Sequence, residues 1–141
     1  MIISIPLQII DLDNDGFHQI VDVYVFGQQF KLVLDTGASK TAFDKTIILQ
    51  NNEEALLFSS DKLSTGLGTN TMVSFTAKVD DLYISNFLVP EFEVAVLDLS
   101  TINIAYEQLN HPLVLGVLGG DILMKYKAVI DYGKQELRLD V

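Results

Sequence analysis

From Ile20 to Phe26 the chain alternates, with Val21, Val23 and Val25 on one side and Asp22 and Tyr24 on the other. Period two of this kind marks a strand with one buried face. A turn at Gly27-Gln28 and a return through Phe30, Leu32 and Leu34 predict a hairpin whose second strand delivers Asp35. Val73, Phe75, Ala77 and Val79 alternate in the same way with Ser74, Thr76, Lys78 and Asp80. They predict a one-sided strand with Leu82 to Ile84 or Phe87 to Val89 as its partner, and Phe92, Val94 and Val96 continue the pattern. Near the end, Ala128 to Asp131 and Leu137 to Leu139 flank Tyr132-Gly133-Lys134-Gln135. This reads as a closing hairpin with Gly133 in the left-handed region. Helical spacing is the minority. Asp121 to Tyr126 predicts a short helix capped by Asp121, and Ile102 to Leu109 a further turn or two stopped before Pro112. Within the ambiguous stretch Lys45 to Lys62, Glu53 to Leu57 suits a short helix. The expected class is mainly β with one short helix near the C-terminus.

Composition narrows the organisation. A chain of 141 residues, 49% hydrophobic, fits a single domain spanning residues 1–141. Three prolines and no polar tract leave no linker to divide it. The lack of cysteine removes disulfides, thiol nucleophiles and thiolate zinc sites. With 19 acidic against 9 basic residues, the net charge of -10 argues against nucleic acid or anionic membranes as partners. No stretch approaches a membrane span of about 18 apolar residues. The start, Met1 to Pro6, lacks the basic flank of a signal peptide. The expected location is therefore cytoplasmic if that start is native, and exported if a leader has been removed.

The chemistry concentrates at Asp35. A carboxylate set directly after the apolar Leu32-Val33-Leu34 and followed by Thr36-Gly37-Ala38-Ser39 stands where core meets solvent, an odd place for a structural charge. Gly37 gives the backbone freedom and allows a second backbone to come close, while Ala38 and Ser39 keep the site open. Two such carboxylates within hydrogen-bonding reach share one proton, as is known of the aspartic-protease dyad, so that one serves as base and the other as acid. The pair could activate a water against a peptide carbonyl without metal, cofactor or covalent intermediate.

Phe30 to Ser39 resembles the active-site strand and turn of aspartic proteases, most of all the retropepsin branch. Gly116-Val117-Leu118-Gly119-Gly120-Asp121-Ile122-Leu123 resembles that family's hydrophobic-hydrophobic-glycine element with its following helix. Tyr126 to Leu139 resembles the closing hairpin of bacterial retropepsin-like domains, and the whole resemblance runs from about residue 20 to residue 139. It implies a closed β-barrel lobe of the retropepsin-like (acid protease) type. Only one Asp-Thr-Gly is present, so it also implies a homodimer in which two copies of Asp35 form the site. Thr36 would then bond its symmetry mate's backbone, and Ser39 would orient Asp35 from outside. Leu118, Gly119, Gly120 and Asp121 would support the site. Thr65, Gly66, Leu67 and Gly68 fall where the family carries a substrate-covering flap. A peptide or protein substrate would bind as an added strand, with Leu67, Val117 and Ile122 as candidates to line apolar pockets. Retroviral relatives carry Arg at the position of Gly120, so the ion pair that braces their dimers is not available. The apolar Ile2, Ile3 and Ile5 with Leu137, Leu139 and Val141 suit the interleaving of termini that such dimers use.

Plainer readings stand beside these. Asp35 could simply close a turn through the Thr36 and Gly37 amides, and the lobe could be a catalytically inactive peptide-binding or dimerisation module. An acidic scaffold that recruits a basic partner is a third possibility. Asp11, Asp13 and Asp15, with Gly16 and Asp22, copy part of a calcium loop, but strands flank it where an EF-hand needs helices, so an acidic hairpin turn is expected. Gly66 and Gly68 lack the third glycine of a dinucleotide loop. His18 and His111 are isolated in sequence and read as surface or turn residues.

Overall fold

The computed structural model describes residues 1–51, 58, 59 and 75–141. The expected flap, the Glu53 to Leu57 helix and the first two residues of the Val73 to Val79 strand lie outside the described residues. The element order is β1 (Ile2–Pro6), β2 (Gln8–Asp11), β3 (Phe17–Val25), β4 (Gln28–Leu34), β5 (Ala42–Asp44), α1 (Lys45–Asn51), β6 (Phe58–Ser59), β7 (Phe75–Val79), β8 (Tyr83–Ile84), β9 (Phe87–Leu88), β10 (Phe92–Leu97), α2 (Ser100–Gln108), β11 (Gly116–Leu118), α3 (Gly120–Lys125), β12 (Val129–Asp131) and β13 (Glu136–Asp140). The chain is mainly β, as the alternation required. The short helix expected near the C-terminus is α3, and α1 and α2 accompany it.

The β3–β4 hairpin sets the frame. Val25 pairs with Gln28, so the turn is Phe26-Gly27, one residue earlier than expected. Both turn residues lie in the left-handed region, with φ of 55° and 76°, the geometry of a two-residue turn matched to the twist of its strands. Phe26 tolerates this conformation because its ring packs edge-on against Phe30 and Phe43, and its N–H donates to Asp81 Oδ2 at 3.0 Å. Alternation then sends Val21, Val23, Val25, Leu32 and Leu34 into the main core, where Ile5, Leu7, Leu137 and Leu139 meet them from the terminal strands. Ile20 and Val33 face the other way, into a second cluster with Ala42, Val117, Val114 and Tyr106 of α2. Each such aliphatic side chain, fully buried, contributes on the order of 2 kcal/mol.

The large sheet runs β6-β7-β10-β5-β11-β4-β3-β8-β9, with β2 also on β3. The partner expected for β7 is corrected: it pairs antiparallel with β10, from Phe75↔Val96 to Val79↔Phe92. β8 and β9 are two-residue strands that pair with each other around Ser85, whose φ is 55°. They are too short to compete with the five-pair ladder that β10 offers. The chain leaves β4 at Asp35 and returns as β5, but these strands do not pair. β11 lies between them, parallel to β4 and antiparallel to β5.

The small sheet has the order β1-β13-β12. β1 pairs with β13 from Ile2↔Asp140 to Pro6↔Glu136. Both edges of β13 are thus occupied inside the single protomer, by β1 and β12. In the closing hairpin the left-handed residue is Gln135, with φ 52°, and not Gly133. Asp131 Oδ1 accepts the Lys134 N–H at 2.9 Å and shapes the loop, so the reversal in φ falls on its last residue. Of the Asp11 to Gly16 segment, Asp11 ends β2 and Leu12 to Gly16 form the loop to β3, closed by Leu12 N–H on Gly16 O at 2.9 Å.

Candidate active site

β4 buries Leu32, Val33 and Leu34 and then presents Asp35 half-exposed at its end. The Asp35 N–H donates to Leu118 O at 3.1 Å, which continues the β4–β11 pairing one residue past the strand. Its carbonyl accepts the Ala38 N–H at 3.1 Å, closing the turn, and its Oδ1 accepts the Gly37 N–H at 3.0 Å. Gly37 does not use left-handed freedom, since its φ is not positive. A Cβ there would sit 3.4 Å from Asp35 Oδ1, so the glycine matters by leaving room against the carboxylate. Thr36 and Ser39 are exposed and Ala38 packs on the second cluster. Among the described residues, the donor to the Asp35 carboxylate is Gly37, not Ser39.

What holds this turn is a residue that the motif did not single out. Thr41 is fully buried; its Oγ1 accepts the Gly119 N–H at 3.0 Å and donates to Asp121 Oδ1 at 2.8 Å. Its own N–H donates to the same oxygen at 2.9 Å. Asp121 therefore does not cap α3 in the expected way; it receives Thr41 across the sheet and the Ile122 N–H beside it. Gly120 N–H adds a bond to Ala38 O at 2.7 Å. The glycines are required by contact: a Cβ on Gly119 would lie 2.6 Å from Lys40 C, and one on Gly116 only 1.9 Å from Ala42 O. Leu118, Gly119, Gly120 and Asp121 are thus brought against the Asp35 turn. In the sequence Thr41 is only a threonine between Lys40 and the apolar Ala42-Phe43, and its burial and its bonds appear only in the fold.

The pocket candidates separate. Ile122 is buried in the main core and Val117 in the second cluster, while Leu67 is outside the described residues. Two surface depressions of about 400 and 230 Å³ are walled respectively by residues around Phe17 and Tyr132 and by residues around Tyr24 and Tyr83, and neither includes the Asp35 turn. Asp35 itself is half-exposed. Among the described residues no group of three or more His, Cys, Asp or Glu side chains could hold a metal. The two histidines are not isolated in space: both rings flank Tyr106, at 5.9 and 6.2 Å between centroids.

A strand-borne Asp-Thr-Gly turn, held beside a hydrophobic-hydrophobic-glycine strand in a mainly β lobe, defines an aspartic-protease fold of the retropepsin-like type. The chain belongs to the aspartyl protease family, whose model matches residues 21–122, from β3 into α3. The fold is shared with a retropepsin-like aspartic protease from Rickettsia conorii, 20% identical, with a TM-score of 0.53 over 99% of this chain and 88% of that one. It is shared also with the retroviral protease-like domain of Ddi1 from Leishmania major, 16% identical, with a TM-score of 0.55 over 86% of each chain. No curated protein matches the chain.

Proposed function

We propose that this chain is an aspartic-type endopeptidase that hydrolyses peptide bonds with a water activated by the paired Asp35 residues of a homodimer. The observation that carries the reading is the half-exposed Asp35 carboxylate, fixed by Gly37 N–H on a turn that Thr41 and Asp121 brace from behind. A protomer supplies one carboxylate, and the exposed Thr36 and Gly37 leave the turn free to meet its counterpart. Held within hydrogen-bond distance, two carboxylates retain one proton between them. The ionised one takes a proton from the bound water as it attacks the carbonyl carbon. The protonated one donates to the carbonyl oxygen as negative charge develops there. Collapse of the tetrahedral species, with a proton delivered to the leaving nitrogen, breaks the C–N bond. An extended peptide would be held as an added strand.

Cleavage of a randomised peptide library at acidic pH tests this, with Asp35→Asn as the comparison. The wild-type chain should cut and the variant should lose activity by at least about 10³-fold. Mixing wild type with excess Asp35→Asn should depress the wild-type rate, because mixed pairs cannot share a proton. Peptide binding without cleavage by the wild-type chain would overturn the hydrolase reading in favour of a peptide-binding module.

A further inference from the structure

We propose that His18, set by Tyr106, selects the substrate: its Nε2–H hydrogen-bonds an acceptor-bearing side chain, Gln or Glu, of the peptide bound at Asp35. The inference rests on the reading of Asp35 as the centre of a peptide site, and it adds a residue that the Asp-Thr-Gly motif does not contain.

Register places His18. Ile20 pairs with Val33, and both face the second cluster. Two residues back along β3 is His18, and Asp35 follows directly on Leu34 at the end of β4; alternation continued past the last pair puts both on that face, at the same end of the hairpin. Tyr106 of α2 and Ala38 of the Asp35 turn pack on the same cluster.

Hydrogen bonding fixes which nitrogen is available. His18 Nδ1 lies 2.6 Å from the Tyr106 hydroxyl, and Tyr106 is only 2% exposed. Burial pushes that hydroxyl up to about 12, so it keeps its proton, and among the described residues Nδ1 is its one acceptor. The phenol therefore donates into Nδ1, which leaves the ring proton on Nε2. His18 is half-buried and its Nε2 has no partner among the described residues. His111 differs: its Nε2 already donates to Asp11 O at 2.8 Å, and its N–H donates to Tyr106 O at 2.8 Å. It holds α2 and the β2–β3 loop around Tyr106, leaving His18 as the oriented donor. A donor fixed before binding favours a substrate that can accept from it over an isostere that cannot.

The test uses the full chain carrying Asp35→Asn, so that peptides bind without turnover. A randomised octapeptide library is captured on it and sequenced. Gln and Glu should be enriched over the isosteric Met at one peptide position by about fivefold. His18→Leu should abolish that enrichment and His18→Gln should restore it. Tyr106→Phe, which touches no peptide, should weaken it by freeing the ring. Enrichment that is absent, or that survives His18→Leu, overturns the proposal; thermal melts of each variant exclude unfolding, and His18→Gln with Tyr106→Phe decide the matter if His18→Leu does not fold. Enrichment with no cleavage by the wild-type chain would overturn only the protease reading. Cleavage without enrichment would overturn only the role of His18.

Discussion

Gly116 and Gly120 stand four residues apart, and the fold treats them in opposite ways. A methyl group on Gly116 would run into the Ala42 carbonyl, whereas one on Gly120 meets nothing nearer than Ala38 O at 3.4 Å. Gly116→Ala should therefore cost about 3 kcal/mol or more, with loss of the cooperative melt in the worst case. Gly120→Ala, at the start of α3, should lie within about 1 kcal/mol of the parent in the same urea titration. Thr41→Val keeps shape but deprives Gly119 N–H and Asp121 of the hydroxyl, and should cost about 1–3 kcal/mol, with Thr41→Ser recovering most of it. At this scale the sequence disclosed the proposed catalytic residue and concealed its brace. Asp35 to Ser39 is recognisable because the chemistry demands particular residues in a row. Thr41, 78 residues from Gly119 and 80 from Asp121, acts through contacts that a linear pattern does not encode.

Elements were legible by face and illegible by neighbour. Alternation marked β3, β4, β7, β10 and β13 because it records which side is buried, yet any apolar strand could satisfy β7, and the choice of β10 was made by ladder length. α1 was hidden in a stretch without clear periodicity, although Asp44 before Lys45 is a helix-start residue. Asp44 is 3% exposed and holds two elements at once, Oδ2 accepting Ile47 N–H at 3.1 Å in α1 and Oδ1 accepting Leu99 N–H at 2.8 Å ahead of α2. Asp44→Ala should lower stability by about 2 kcal/mol, read as a shift in urea midpoint. In the closing hairpin, the Lys134 N–H and then the Arg138 guanidinium hold the Asp131 carboxyl below its ordinary value of 3.8. Its folded pKa is depressed, so its contribution is complete above about pH 4 and is lost as pH falls through the lower folded value. Urea midpoints measured from about pH 5 to about pH 2 should fall less steeply for Asp131→Asn than for the parent. Equal slopes would show that the loop does not depend on this carboxylate.

For the whole molecule, the proposed dimer must form between two chains that each carry -10. Repulsion between them weakens as carboxylates protonate toward the pI of about 4.3 and as salt shortens the Debye length to roughly 10 Å at 0.1 M. Sedimentation velocity should show the dimer fraction rising from about pH 7 to about pH 5, and rising again with salt at fixed pH. Activity per chain should rise with protein concentration in parallel. A dimer fraction indifferent to both would point to an interface insulated from the net charge.

The first and last strands lie side by side, and the Met1 ammonium donates to Val141 O at 2.9 Å. Topologically the polypeptide is almost a ring. A few glycines would suffice to join its ends, and the circle could be reopened at the exposed Asp13-Asn14 tip, far in sequence from the β4, β5 and β11 segments that carry Asp35 and its brace. Such a rearranged chain would keep the contacts around Asp35 while moving its two ends to the β2–β3 loop.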